Sequence, residues 1–288
     1  MPMTKPCPVR FAKPTQPLAS MICPFHGGAR IQGEAMGIGE VILLFCGGLL
    51  AGIINVIVGG AGFMTFPLLM AAGMTEIEAN ASNFVAVLPA NLVGTYLYRN
   101  ELKSVRKHLG LRLFMSALGG LMGSLILTLT GQASFQTAVP WLLLFATTTF
   151  ALGPRLKAKI ESYPQFDRER WVWLQLTLEF CVYIYCGYFG LGMGKILFAI
   201  YGIFSQMTLH QGNAVRNITT SLSSLVAIVI FIHSGLIRWL PALIMMSGAV
   251  TGGFIAVRIA KRLPSAWVRM AILTWAAGLT GLAFYRYL

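Results

Sequence analysis

Charged residues are scarce in this sequence: Asp, Glu, Lys and Arg make up 11% of its 288 residues, against roughly 25% in soluble globular domains. No charge occurs between Glu40 and Glu76 or between Arg112 and Arg155, and hydrophobic residues make up 56% of the chain. Because a membrane-spanning helix needs about 20 apolar residues, each of these gaps holds one or two crossings. The composition excludes an ordinary cytosolic enzyme and indicates an all-α polytopic membrane protein.

Cysteine and histidine are also few, and they are scattered. The five cysteines show no paired spacing, which excludes a disulfide framework and a zinc site. The four histidines form no HExxH motif, no nucleophile elbow is present, and the acidic pair Glu76 and Glu78 falls at a predicted loop. We therefore expect no metal and no other cofactor, and an enzyme acting within the membrane is only a minor alternative.

Acidic residues number 9 against 22 Lys and Arg, which gives a formal net charge of +13. The basic residues lie in clusters between apolar runs, as the positive-inside rule predicts for cytoplasmic loops. This distribution predicts a multi-pass membrane protein with basic cytoplasmic loops and the lipid bilayer as its partner, not a nucleic-acid-binding protein. The clusters are Arg99, Lys103, Arg106, Lys107 and Arg112; Arg155, Lys157, Lys159, Arg168 and Arg170; and Arg258, Lys261, Arg262 and Arg269.

Four regions follow from the distribution of apolar runs. Residues 1–38 are proline-rich at the start and contain no apolar run long enough for a signal peptide. We expect them to be a disordered tail, or an over-extended start before Met36. Residues 39–152 and 171–288 hold the predicted spans, and residues 153–170 form a basic cytoplasmic linker.

The apolar runs predict eight transmembrane helices. Two further apolar pieces, 62–73 and 194–206, each follow a glycine cluster and are too short to span comfortably, which suits glycine-broken or re-entrant helices. The eight spans are 39–58, 78–98, 113–131, 135–152, 171–190, 213–234, 239–258 and 267–286.

The two halves show signs of an internal repeat. Three groups of residues recur in the same order at nearly constant offset, which predicts a duplication with one short helix in each half. If the short helices do not cross, the halves are parallel repeats and the third basic cluster faces outside. If both cross, the repeats are inverted and all three clusters lie inside. The matches are Gly60-Ala61-Gly62 with Gly192-Met193-Gly194 (offset 132), Asn80–Asn83 with Asn213–Arg216 (133), and Gly119 and Gly123 with Gly248 and Gly252 (129).

The glycine breaks predict a binding site. Gly60, Gly62, Gly192 and Gly194 would free backbone from the helix, and such backbone survives at membrane depth only where it is packed in protein or lines a polar cavity. Each resuming helix then offers free N–H groups and a partial positive charge, which suit an anion, and discontinuous helices at corresponding repeat positions are typical of transporter sites. The alternative, close packing through small residues, is expected for Gly119, Gly123, Gly248 and Gly252.

Four polar side chains near these breaks are candidates for the site, because charges within spans are costly. Lys195 follows the second break, and Arg216 occupies the repeat position of Asn83. Lys195, Arg216 and Asn83 are therefore predicted to bind an anionic substrate. The alternative is that Lys195 and Arg216 extend to the membrane interface. Glu179 lies eight residues inside the span that starts at Trp171. Burial disfavours its charged form, so Glu179 could carry a coupling proton, or it could pair with Lys195 or Arg216.

At these glycines the chain resembles the TauE/SafE sulfite exporter family. The resemblance covers nearly everything after Met36, although Lys195 departs from the small-residue pattern of the family. It implies a cytoplasmic-membrane carrier for a small anion such as sulfite, a sulfonate or a related organic acid. The motifs are GGLLAGIIN (47–55), GGAG (59–62), FPLL (66–69), the Asn80–Asn83 helix and Tyr98-Arg99 in the first half, and YFGLGMG (188–194), Gly248 and Gly252-Gly253 in the second.

No motif for an ATPase partner is present, so the carrier interpretation implies secondary transport without an ATPase subunit. We expect the site where the two glycine-broken helices meet. A channel-like or accessory membrane protein is the main alternative. Saturation of the flux with substrate concentration would distinguish a carrier from a channel. An intramembrane enzyme, the third possibility, would have to convert a substrate.

Overall fold

The computed structural model describes residues 36–57, 60–105, 108–161, 168–205, 207–259 and 265–287, and every regular element in these ranges is helical. Residues 1–35, most of the predicted tail, lie outside the described residues. The helices are α1 (Ile38–Ile57), α2 (Gly62–Ala71), α3 (Glu76–Leu97), α4 (Arg99–Ser104), α5 (Leu109–Thr130), α6 (Gln132–Glu161), α7 (Arg168–Tyr188), α8 (Met193–Ile200), α9 (Leu209–His233), α10 (Trp239–Ile259) and α11 (Ser265–Tyr287).

Each predicted span and each short apolar piece corresponds to one of these helices. Two elements were not predicted: the short helix α4, and a π-helical turn, Tyr201–Ser205, that continues α8. Helix α6 is longer than expected, because it runs to Glu161 and so enters the segment predicted to be a linker.

Five helices are long and apolar enough to cross a membrane by length and composition, namely α1, α5, α6, α9 and α10. Helices α3, α7 and α11 have 22, 21 and 23 residues, which is also long enough to span. Large apolar side chains such as Phe114, Leu129 and Val229 remain exposed on the outer faces of the bundle. Exposed apolar side chains of this size suit contact with lipid, and with the five apolar helices they indicate a multi-pass membrane protein.

Glycines bring two pairs of helices into backbone contact. In α10, a Cβ at Gly248 or Gly252 would meet the backbone of Phe45 or Leu49 in α1. In α5, Gly119 and Gly123 meet the backbone of α7 in the same way. The prediction that these four glycines serve close helix packing is confirmed.

We expect Gly252→Ala to destabilise the protein by about 1–3 kcal/mol, because the added methyl group meets backbone that cannot rotate away. Gly253→Ala is the matched control on the same helix, since a Cβ there has nothing within 4 Å. Its effect should be neutral or stabilising by up to about 1 kcal/mol, because alanine is the better helix former. Thermal unfolding in detergent measures both, and equal transition temperatures would contradict the packing role.

Helices α3 and α9, which follow the two short helices, begin with the same local structure. Thr75 accepts from the backbone N–H of Glu78 while Glu78 accepts from that of Thr75, and Thr208 and Gln211 form the equivalent capping box. The prediction that Glu76 and Glu78 lie in a loop is therefore wrong, because the capping box starts α3 at Glu76.

Candidate functional site

The two glycine breaks meet at one cavity of about 90 Å³, several times the roughly 10–15 Å³ that one water needs. Gly60 has φ 104°, Gly190 has φ 77° and Gly192 has φ 76°. These values lie in the left-handed region that L side chains rarely adopt, so glycine is required at each turn. All four predicted site glycines line this cavity: Gly60, Gly62, Gly192 and Gly194.

Gly62 and Gly194 are needed for a different reason, which is the close approach of side chains. A Cβ at Gly62 would lie 3.1 Å from Leu191 Cγ and 3.4 Å from Asn83 Nδ2, and one at Gly194 would lie 3.1 Å from Arg216 Nη1. The start of each short helix therefore lies directly beside one predicted site residue.

The N-termini of α2 and α8 are both open toward the cavity. Neither N-cap residue, Ala61 or Gly192, makes a side-chain capping hydrogen bond. The N–H groups of Phe63, Met64 and Lys195 donate to the carbonyls of Gly60, Ala61 and Gly192 in the preceding turns. The N-terminus of a helix nevertheless carries a partial positive charge. Two such ends at one cavity favour a negatively charged ligand.

Arg216 lies in α9 and is 9% exposed. Its Nη2 and Nε donate to Asn217 Oδ1 at 2.7 and 3.3 Å, and its Cζ lies 5.3 Å from the centre of the Phe198 ring. Within the described ranges, no carboxylate lies within 4 Å of this guanidinium. Burial of a cation without a counter-charge is costly, so the site favours an anion.

Lys195 lines the same cavity from the first turn of α8. Its Nζ lies 5.3 Å from the centre of the Phe150 ring and 6.0 Å from that of Phe198. A Cβ at Gly153 in α6 would lie 3.3 Å from Lys195 Cδ, so the stem of the lysine packs on that helix. The aromatic faces stabilise its ammonium group, which adds a second cation to the site.

The remaining polar groups of the cavity are neutral. Asn83 contacts the hydroxyl of Thr65, and Asn55 Nδ2 donates to Asn91 Oδ1 at 3.3 Å. Apolar side chains complete the wall: Phe84, Phe150, Phe189 and Leu191.

Thr220 and Ser224 also line the cavity and were not predicted from the sequence. A signal for both was present, since they follow Arg216 at intervals of four residues and therefore share its helix face. Across the part of the chain that the structure covers, no three His, Cys, Asp or Glu side chains come together as a metal site would need.

Glu179 lies outside this cavity. Its Oε2 is 3.2 Å from Arg112 Nε, and its Oε1 accepts from Gln175 Nε2 at 2.6 Å. Ser205, at the end of the π-helical turn, accepts from Arg112 Nη2 at 2.9 Å and from Gln175 at 2.6 Å. The carboxylate therefore pairs with Arg112 rather than with Lys195 or Arg216.

Arg112 corrects one sequence interpretation. Its sequence position assigned it to a basic cluster that orients the chain, but it is 4% exposed and faces Glu179 inside the protein. A basic residue next to an apolar run can lie in a loop or be buried, and the sequence position alone does not distinguish the two. The buried partner of Arg112 is Glu179, which lies 67 positions away in the sequence.

Comparison with known proteins adds independent information. A family model described as Sulfite exporter TauE/SafE matches residues 44–283. The chain is also similar to a protein of Escherichia coli K12 named Probable membrane transporter protein YfcA. The two are 27% identical over 225 residues, which cover 77% of this chain and 79% of that protein.

Two further relatives agree. A Probable membrane transporter protein of Haemophilus influenzae is 24% identical over 78% of this chain and 86% of its own length. Probable membrane transporter protein ORF9 of a Sinorhizobium species is 26% identical over 75% of this chain and 82% of its own length. No solved structure matches the chain significantly.

Proposed function

Because the chain belongs to the TauE/SafE sulfite exporter family, we propose that it is a secondary carrier of the cytoplasmic membrane for a small anion such as sulfite, a sulfonate or a related organic acid. The family membership confirms the resemblance seen in the glycine motifs. Like its relatives, the chain is a membrane transporter and not an enzyme. The substrate and the site are the proposed part.

One observation carries the choice of an anion. Arg216 is buried beside two uncapped helix N-termini and, as far as the chain is described, has no carboxylate partner. A bound oxyanion would accept from its Nη groups and from backbone N–H groups of both short helices. The proposed substrate-binding residues are Gly60, Gly62, Asn83, Gly192, Gly194, Lys195 and Arg216.

The same contacts support two repeats of four spans and one short helix each, residues 39–152 and 171–288, joined by the linker 153–170. Helix α1 packs along α10 of the other half, and α7 packs along α5 in the corresponding way. Gly62 adjoins Asn83 as Gly194 adjoins Arg216, and both α3 and α9 start with a capping box.

The short helices are proposed to carry the chain back across the membrane. A Cβ at Gly47, in the middle of α1, would meet Leu68 near the end of α2, while Asn55 at the end of α1 bonds Asn91 in α3. Helix α2 thus runs back along α1, and α3 runs in the direction of α1. This arrangement supports inverted repeats, which put all three basic clusters on the cytoplasmic side.

The proposed function is tested by uptake of labelled sulfite into proteoliposomes that contain the purified full chain. We expect saturable uptake that competing sulfonates or carboxylates reduce, and no uptake of neutral glycerol. Empty liposomes are the control. Absence of flux for sulfite, sulfonates and carboxylates alike would refute the anion carrier, and flux that rises linearly with concentration would favour the channel alternative.

A further inference from the structure

A second cavity, of about 110 Å³, lies at the opposite end of α2 from the anion cavity. Met70 and Ala71 at the C-terminal end of α2 line it, whereas the N-terminus of α2 opens on the anion cavity. Apolar side chains make up most of its wall, among them Phe66 of α2 and Val139 and Leu143 of α6. The proposed anion carrier does not use this cavity.

Helix α11 presents one face to this second cavity, and that face changes from apolar to polar along the helix. Its residues there occupy positions i, i+3, i+4, i+7 and i+8, which share one side of a helix. They are Leu279, Leu282, Ala283, Arg286 and Tyr287. Because a helix rises about 1.5 Å per residue, the change takes place over about 12 Å. The cavity therefore has an apolar part and a polar end.

Helix α6 changes from polar to apolar in the same direction. Gln132 and Gln136, near its start, both donate to Glu76. Leu143, on the same face two turns further on, lines the apolar part. Tyr287 also donates to Glu76, so the polar ends of α6 and α11 meet at this carboxylate.

The polar end lies where the headgroups of a bilayer are expected. Tyr285 on α11 is 91% exposed, and exposed tyrosines at helix ends are typical of the membrane–water interface. Leu282, one turn back, is 46% exposed and also lines the cavity, so the apolar part adjoins the lipid-facing surface. The cavity thus has the polarity of a lipid in that surface, polar at the interface and apolar toward the membrane interior.

Glu76 supplies a negative charge at the polar end, and its position in the first turn of α3 stabilises that charge. Its Oε2 accepts from Gln136 Nε2 at 2.9 Å and from Gln132 Nε2, and its Oε1 accepts from the hydroxyl of Tyr287. An ionised carboxylate has about four lone-pair sites, so these three donors leave one for a ligand. Among the described residues, no Lys or Arg lies within 4 Å of this carboxylate.

Arg286 supplies a positive charge at the same end of the cavity. Its side chain is exposed, and its Cζ lies 5.6 Å from the centre of the Tyr287 ring. In the part of the chain that the structure covers, no carboxylate lies within 4 Å of its guanidinium. Its N–H donors are therefore available to an oxyanion.

These two opposite charges select the ligand. Arg286 opposes a free metal cation, and Glu76 opposes a lipid that carries only negative charge. A zwitterion with a primary ammonium and an oxyanion complements both charges, and the apolar walls favour an attached hydrocarbon chain. We propose that this cavity binds a phospholipid with a primary ammonium headgroup, namely phosphatidylethanolamine. Its ammonium donates to Glu76, its phosphate accepts from Arg286, and the first part of one acyl chain packs on α2, α6 and α11.

The proposal is tested by native mass spectrometry of the delipidated full chain in detergent, titrated with phosphatidylethanolamine, phosphatidylcholine or phosphatidylglycerol of the same acyl chains. We expect phosphatidylethanolamine to bind at least about tenfold tighter than the other two, because neither of them has an ammonium N–H to donate to Glu76. Free phosphoethanolamine, which is the headgroup without chains, should not bind in the same range. Equal affinity for the three lipids, or equally tight binding of free phosphoethanolamine, would overturn the proposal.

Two variants test the residues. Glu76→Gln should bind phosphatidylethanolamine no better than phosphatidylcholine, and Arg286→Gln should weaken the binding of both lipids by about tenfold. Arg99→Gln is the matched control and should bind as the wild type does. Arg99 is also exposed beside a tyrosine, with its Cζ 4.3 Å from the centre of the Tyr96 ring, but it does not line the cavity.

A preference for phosphatidylethanolamine retained by Glu76→Gln, or unchanged lipid binding by Arg286→Gln, would overturn the proposal. Because Arg286 is exposed, its substitution leaves the packing intact and decides the question even if Glu76→Gln does not fold. No transported substrate is present in these titrations, so the outcome is independent of the proposed carrier function.

Discussion

Arg216→Ala should abolish sulfite binding while leaving the protein folded. Truncation of one member of a buried, hydrogen-bonded charge pair costs about 2–5 kcal/mol, which corresponds to a loss of affinity of roughly 30- to 4,000-fold. In the unliganded protein the guanidinium has no carboxylate partner within the described ranges, so its removal relieves an uncompensated buried charge. We expect an unfolding temperature at or above that of the wild type.

The measurement is isothermal titration of the purified protein with sulfite, alongside thermal unfolding. Arg216→Lys should be intermediate, because it keeps the charge but loses the two-pronged donor geometry. Arg238→Ala is the matched control: it removes an arginine that pairs with Glu78 away from the cavity, and sulfite should bind to it as to the wild type. Normal binding by Arg216→Ala would refute the site.

The helices could be predicted from the sequence because the bilayer imposes a length and a polarity on each of them. The ten long or short apolar runs all correspond to helices, and α4 was missed because a polar segment of 6 residues carries no such signal. The π-helical turn Tyr201–Ser205 was missed because its apolar residues continue the run of α8.

The start of α3 could have been predicted. Thr75 and Glu78 have the spacing of a capping box, S/T-x-x-E, and Thr208 and Gln211 repeat it before α9. Local chemistry of this kind is present in the sequence, so the loop assigned to Glu76 was an error of interpretation rather than a limit of the sequence.

The cavity could be predicted only in part. Glycines were informative because a broken helix at membrane depth needs a polar cavity, and the repeat offset singled out Asn83 and Arg216. The contacts around Glu179 could not be predicted, since its partner Arg112 comes from α5. Ser205, which accepts from both Arg112 and Gln175, comes from the π-helical turn after α8. Such contacts depend on how helices that are distant in sequence pack together.

The ion pair between Glu179 and Arg112 leads to the second large prediction. Arg112→Met leaves Glu179 buried and uncompensated, and we expect the free energy of unfolding to fall by about 3–5 kcal/mol. The double variant Arg112→Met/Glu179→Leu should recover most of this loss, because two apolar side chains of similar size replace both charges. Denaturant unfolding of the two variants and the wild type measures the difference, and equal stability of single and double variants would contradict the pairing.

The double variant also tests the proposed role of Glu179 in proton coupling. The carboxylate contacts Arg112 on α5 and Gln175 on α7, and both of these donate to Ser205 in the turn after α8. A proton on Glu179 would therefore release Arg112 at the end of the second broken helix. If this release is part of the transport cycle, the double variant folds but does not accumulate sulfite when a pH difference is imposed. Wild-type accumulation would make the pair purely structural.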